Sequence, residues 1–262
     1  MSDRGLYVYG VVPSTAPATL FDNVRGVDPS EPVVLVHNGG VAAIASAVRL
    51  DEFGEDAIEQ NLRDPSWLAE KARAHDDVLA AAVGRTTVLP FRFGAIYRSE
   101  DQILDLLRDR SDFSSTLDRL EGTYELGLKA VVDVAALRER LAADRPIETD
   151  VPAGRAYMQG KQIARELDEA VERFSAECAQ DSHDRLAAVA GGGRLNPVQQ
   201  PDDPANPRRM ILNAAYLVES SAEPRFRDEV GALERIYSAE GVDYELTGPW
   251  PPYNFSGDEE RS

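Results

Sequence analysis

The sequence predicts an α+β protein of two domains, and three observations carry that expectation. The half beyond residue 121 has an element order of β, α, β, β, α, β, the split βαβ pattern of a ferredoxin-like fold. The first half mixes period-2 strands with helices of 3.6-residue spacing. The length of 262 residues and an apolar fraction of 43% suit one large or two small folded domains. The boundaries fall at 1–121 for an N-terminal mixed α/β domain with a small sheet and helices, and at 122–248 for the C-terminal domain. Residues 249–262 are expected to form a Pro/aromatic strap and a disordered acidic tail.

The first domain opens with a strand at about Leu6 to Val12, stopped by Pro13, and a polar loop to about Pro32. The β-branched runs Val33–His37 and Val41–Ala45 flank Asn38-Gly39-Gly40, a hairpin signal. Asp64 is suited to cap a helix with Pro65 in its first turn, and Leu68, Ala72, His75, Leu79 and Ala82 share one stripe until Gly84 ends it. Thr86–Leu89 reads as a short strand terminated by Pro90. Ser99-Glu100-Asp101-Gln102 then has the form of a capping box, opening one helix that buries Ile103, Leu106, Leu107, Phe113, Leu117 and Leu120.

In the second domain Tyr124, Leu126, Leu128, Ala130 and Val132 alternate with Glu125 and other outward residues, which predicts a strand with one face on the core. A short helix near Ala135–Ala142, a linker through Pro146 and Pro152, and a long helix from about Arg155 to Ala179 follow. That helix carries Tyr157, Lys161, Ala164, Leu167, Val171, Phe174 and Cys178 on its stripe. Leu186–Ala190 reads as the second strand and Gly191-Gly192-Gly193 as a hinge or hairpin loop. Residues 191–208, with four prolines, are expected to be irregular and mobile. Met210–Val218 is apolar on both faces, which fits the central third strand of this topology; a helix marked by Phe226, Val230, Leu233 and Tyr237, and a strand with Val242, Tyr244 and Leu246, complete the order.

The charge excludes several functions. Acidic residues number 46 against 28 basic, a net charge of -18. The excess is even: -8 over residues 1–121 and -10 over 122–262. Nucleic acid and anionic membrane surfaces are poor partners for such a body. No apolar run approaches the roughly 20 residues that span a bilayer, and the N-terminus lacks the pattern of a cleaved leader, so a cytoplasmic, unprocessed chain is expected. The single cysteine, Cys178, permits no internal disulfide.

Dedicated chemistry is hard to find. His37, His75 and His183 lie far apart in sequence and form no metal-ligand spacing. His75, on an apolar stripe, reads first as a packed imidazole bonded to a backbone carbonyl and second as a catalytic group. Cys178 reads as a core thiol. Gly191-Gly192-Gly193 lacks the following Lys-Ser or Lys-Thr helix start of a phosphate loop, and no nucleophile elbow is present. Neither a cofactor nor a metal is expected. Two segments stand out instead. Leu89-Pro90-Phe91-Arg92-Phe93-Gly94 places Arg92 between two aromatics, suited to stacking or to pairing a carboxylate. Pro249-Trp250-Pro251-Pro252-Tyr253-Asn254-Phe255 joins three chain-stiffening prolines to three aromatic anchors, either strapping the C-terminus onto the body or offering an aromatic surface to a partner.

Residues 89–94, Tyr124–Lys129, Ile211–Val218 and Leu246–Phe255 resemble, in this order, the GvpL/GvpF family of gas vesicle proteins; His75 occupies the place of a His that recurs there, and the resemblance runs from Tyr7 to Phe255. Tyr124-Glu125-Leu126 departs from the family, which more often has a Trp there. The resemblance implies two α+β domains, the second a modified ferredoxin-like one. It also implies a minor, non-enzymatic, shell-associated component of gas vesicle formation, acting in the cytoplasm and at the vesicle with the small hydrophobic major shell protein and other accessory proteins. Candidate contact or structural residues are His75, Arg92, Phe93, Trp250, Tyr253 and Phe255. The competing expectation is a small-molecule enzyme or ligand-sensing module with an interdomain cleft near His75 and Arg92.

Overall fold

In the computed structural model, residues 4–110, 112–143, 153–200, 203 and 206–257 are described. Two units divide the chain discontinuously: Met1–Glu125 with Pro249–Ser262, and Leu126–Gly248.

The first unit is built on an antiparallel sheet of β1 (Arg4–Pro13), β2 (Val33–Asn38), β3 (Val41–Arg49), β4 (Leu89–Pro90) and β5 (Ile96–Tyr97). The order is β2-β3-β1-β4, with β5 also on β1. The hairpin forms around Gly39-Gly40: Asn38 faces Val41, and Gly39 takes a φ of 62°, which suits a residue without Cβ. Because β1 is central, both its faces are covered, and Tyr7, Val8, Tyr9, Val11 and Val12 are all fully buried. A register shift between Val8 and Gly10 marks a bulge beside Tyr9.

Helix α1 (Leu50–Phe53) and helix α2 (Glu55–Asn61) occupy a stretch without a predicted element. Helix α3 (Pro65–Ala82) starts at the predicted cap, where an Asp64 carboxylate oxygen accepts from the Ser66 and Trp67 amides, and ends before Gly84 at a φ of 72°. The predicted single helix after Ser99 is two, α4 (Glu100–Asp109) and α5 (Asp112–Arg119). Arg110, at φ -94° and ψ 73°, has left the helical region, so Ile103 and Leu107 on one segment and Phe113 and Leu117 on the other reach the core separately. Nor does the strand predicted over Thr86–Leu89 form there: pairing begins only at Leu89, opposite Val11, and includes Pro90, opposite Gly10.

The second unit has β6 (Thr123–Asp133), α6 (Val134–Ala143), α7 (Ala153–Ala187), β7 (Gly192–Leu195), β8 (Arg208–Glu219), α8 (Glu223–Tyr237) and β9 (Val242–Trp250). The sheet order β7-β8-β6-β9 puts the first and third strands of the βαββαβ series in the middle, as the ferredoxin-like expectation requires. Leu126, Leu128, Ala130 and Val132 are completely buried, and Ala214 to Val218 are buried without a break.

Two expectations fail in this unit. Leu186–Ala190 is no strand. Helix α7 continues to Ala187, with Leu167, Val171, Ser175, Cys178, Ser182 and Leu186 buried along one stripe, so Leu186 is a helical core residue. The second strand is instead β7, whose Gly192 and Gly193 pair with Leu217 and Tyr216. The glycines are therefore ladder residues at a sheet edge, not a hinge, and β7 and the start of β8 narrow the expected 191–208 loop. Tyr157 and Lys161, predicted on the stripe, are exposed. The linker prolines Pro146 and Pro152 and the tail after Gly257 lie outside the described residues.

An ion cluster that the sequence did not announce lies under α3. Lys71 is 7% exposed; its Nζ donates to the Val27 carbonyl at 2.9 Å and pairs with Glu52 at 3.2 Å. Glu52 also accepts from the Trp67 indole and from Arg49, each at 2.9 Å. Burial opposes its ionisation, but these donors outweigh that effect and hold the carboxyl below its ordinary range. A Lys71→Met substitution leaves the Val27 carbonyl and Glu52 short of a cation. It is expected to lower the unfolding free energy by about 2 kcal/mol, read by urea denaturation.

Candidate interaction site around the C-terminal strap

The stretch singled out in the sequence between Leu89 and Gly94 lies where the chain leaves β1 and returns to it. Phe91 N–H donates to the Tyr9 carbonyl, and Val8 N–H to the Ala95 carbonyl, both at 2.8 Å. Residues 91–95 are therefore an excursion between β4 and β5, anchored at both ends on one strand. Phe93 turns toward the core and meets His75 and Tyr7 with ring centroids 5.9 Å away in each case, while Trp67 lies at 6.3 Å.

His75 is 2% exposed, with Tyr7 and Tyr9 rings within 5.7 Å of its own. The expected backbone carbonyl is present in that of Phe91, and two tyrosine hydroxyls join it. Tyr7 Oη lies 2.9 Å from Nδ1, and Tyr253 Oη lies 3.1 Å from Nε2. The Tyr253 hydroxyl proton goes to the Asp76 carboxylate at 3.1 Å, so Nε2 carries the proton donated to Tyr253. Nδ1 is then the acceptor for Tyr7, whose oxygen in turn accepts from Gly94 N–H at 3.0 Å. Hydrogen-bond logic thereby assigns the Nε2-protonated, neutral tautomer. Burial, outweighing the attraction of Asp76 and the hydrogen bond to the Phe91 carbonyl, pushes the imidazole below its ordinary value, and burial raises both Tyr7 and Tyr253.

Neighbouring strap residues are held as firmly. Glu125, predicted to face outward from its strand, is 7% exposed; its two carboxylate oxygens accept from the Asn254 amide at 2.9 Å and its side-chain nitrogen at 2.7 Å. Burial raises this carboxyl, and the two donors from Asn254 oppose the rise. Arg119 Nη2 donates to the Phe255 carbonyl at 2.9 Å, and Phe255 itself is buried. Thus His75, Phe93 and Tyr253 come together, Phe255 is anchored beside them, and Trp250 is 45% exposed. Sequence reasoning missed Tyr7, Asp76, Glu125 and Asn254. The spacing of Tyr7 and Tyr9 on one strand face was the available sign for the first.

Arg92 is exposed and, among the described residues, forms no ion pair and stacks on no ring. It lines an open cleft of about 450 Å³ with Leu89, Phe91, Arg110 and Phe113. His75 does not line that cleft, so the joint pocket required by the small-molecule reading is not formed there. Cys178 neighbours Ser182 and the Tyr244 hydroxyl, and burial raises its thiol. Among the described residues no three of His, Cys, Asp and Glu are grouped to hold a metal, and no helix is long and apolar enough to cross a membrane.

The fold as a whole is shared with solved gas vesicle proteins. The crystal structure of GvpF from Anabaena sp. PCC7120 superposes with a TM-score of 0.72 at 21% identity, covering 98% of each chain. The chain belongs to the gas vesicle synthesis protein GvpL/GvpF family, which it matches over residues 5–257. It is 33% identical to gas vesicle protein L of Streptomyces sp. (strain CB03234), over 98% of this chain and 94% of that one. It is 30% identical to gas vesicle protein F of the same strain, over 95% and 98%.

Two outcomes follow for the strap. Tyr253→Phe removes the hydroxyl shared by His75 and Asp76 and is expected to cost about 1–2 kcal/mol, with faster amide exchange over residues 253–256. His75 has a folded value below its unfolded one, so its contribution is present above about pH 6.5 and fades as the pH falls below it. Glu125 is shifted upward and acts oppositely, gaining stability as the pH falls from its folded value toward the ordinary carboxyl range. A Glu125→Gln variant therefore has a steeper acid loss of stability than the parent, measured by thermal melts across pH 4 to 7.

Proposed function

We propose that this chain is an accessory protein of gas vesicle formation that binds the hydrophobic shell protein, other accessory proteins, or both during assembly. It is a minor component associated with the shell and the cytoplasm, without a catalytic role. The observation that carries this reading is membership of the GvpL/GvpF family over residues 5–257. The physical arrangement supports it. His75 and Glu125 are committed to holding the strap, whereas Arg92, Pro249 and Trp250 are exposed members of the motifs that distinguish the chain. A body of net charge -18 keeps a complex with an apolar subunit dispersed by repulsion between copies. In this reading Phe93, Tyr253 and Phe255 support the contact surface from beneath.

The test is affinity purification of the tagged chain from cells expressing the vesicle genes, together with its deletion. Co-purification of the major shell protein and loss of vesicles on deletion are expected. Absence of binding together with normal vesicles after deletion would overturn the reading. Trp250→Ala is expected to weaken capture by about tenfold while leaving the melting temperature within a few degrees.

A further inference from the structure

Beside the strap, the cleft formed by residues 89–95 and the start of α5 combines features that no structural role absorbs. Its floor is apolar, with Leu89, Pro90 and Phe113 buried, and Phe91 lies against Phe113 at a centroid distance of 5.9 Å. The charged side chains that line it are both arginines. This is notable in a chain where acidic residues outnumber basic ones by 46 to 28. Arg110 is fixed as a wall: two nitrogens donate to the two oxygens of Asp112 at 2.9 Å, and its guanidinium lies 5.0 Å from the centre of the Phe113 ring. Arg92 is different. It is exposed, has no carboxylate among the described residues, and stands between Phe91 and Phe93 on a segment whose backbone is anchored to β1 at both ends.

A guanidinium on a rigid loop at the rim of an aromatic cleft is arranged to receive a carboxylate bidentately while apolar neighbours of that carboxylate enter the cleft. We propose that this cleft docks an acidic peptide segment of a partner protein, one carboxylate pairing with Arg92 and flanking aromatic or aliphatic side chains resting on Phe91 and Phe113. This rests on the reading of the chain as a binding component and names the partner chemistry of one surface. A volume of about 450 Å³ accommodates a few side chains rather than a folded domain, which suits a short linear segment. The net negative body repels a uniformly acidic partner at long range, so the segment belongs to a partner that is neutral or basic elsewhere.

The experiment uses the full chain and a peptide that is basic outside its acidic segment, acetyl-Lys-Lys-Gly-Phe-Glu-Leu-Asp-Phe-Gly-Lys-amide, labelled with fluorescein on its last lysine and followed by anisotropy. Saturable binding is expected, weakened about tenfold by Arg92→Glu, recovered in part by Arg92→Lys, and weakened by salt. Equal melting temperatures of parent and variants establish that folding is unchanged. No binding by the parent, or binding indifferent to Arg92→Glu, overturns the proposal. So does tripolyphosphate binding as tightly as the peptide, which would make the cleft a general anion site. A full-length chain carrying Asp258→Asn, Glu259→Gln and Glu260→Gln tests its own acidic end as the occupant: peptide binding only in that variant overturns the assignment to a partner. Co-purification of shell protein by a chain that fails these tests would leave the assembly reading standing without this surface.

Discussion

A neutral imidazole with both nitrogens committed is the constraint around which the first unit is arranged. The proton of Tyr253 goes to Asp76, so the direction of every other bond in the series follows, through Nε2 and Nδ1 of His75 to Tyr7 and the Gly94 amide. Every polar atom of the series is partnered, in a site where an unpartnered one is costly. Among the described residues no buried side-chain nitrogen or oxygen lacks a hydrogen-bond partner. The tyrosine from the C-terminal strap and the glycine from the 91–95 excursion thereby hold each other in place through one ring.

Charge is handled in two ways in the same unit. On the exterior, carboxylates prevail and are solvated, at little cost to the fold. Inside, Lys71 and Glu125 are each met by named partners, the former by Glu52 and a carbonyl, the latter by two donors of Asn254. Those inner groups answer to geometry rather than to net charge. A total of -18 therefore says much about what approaches the surface and little about what holds the core.

The sequence disclosed those elements whose signals are local. Asn38-Gly39-Gly40, the Asp64-Pro65 start and the alternation through Val132 each act within a few residues, and each has its expected structure. The two-sided apolar run of β8 announced a central strand for the same reason. Errors arose where tertiary pairing decides. Gly192-Gly193 forms a strand because β8 offers it an edge, while Leu186 opens a short apolar run but sits on a helix stripe already set by Leu167, Val171 and Cys178. Glu125 looked outward by alternation and is buried because a segment 129 residues later covers it. No window around Glu125 contains Asn254, so the candidate site was visible as two unusual segments but not as one network.

One consequence concerns the order of synthesis. Residues 1–125 leave the ribosome with Tyr7, His75 and Glu125 already present, yet the chain that satisfies His75 and Glu125 arrives only with residues 253 and 254. Between those moments the entire second unit is translated. The first unit thus gains its strap tyrosine and asparagine only after the second unit has been made, and a chain interrupted before residue 253 leaves Nε2 of His75 without Tyr253 and the Glu125 carboxylate without Asn254.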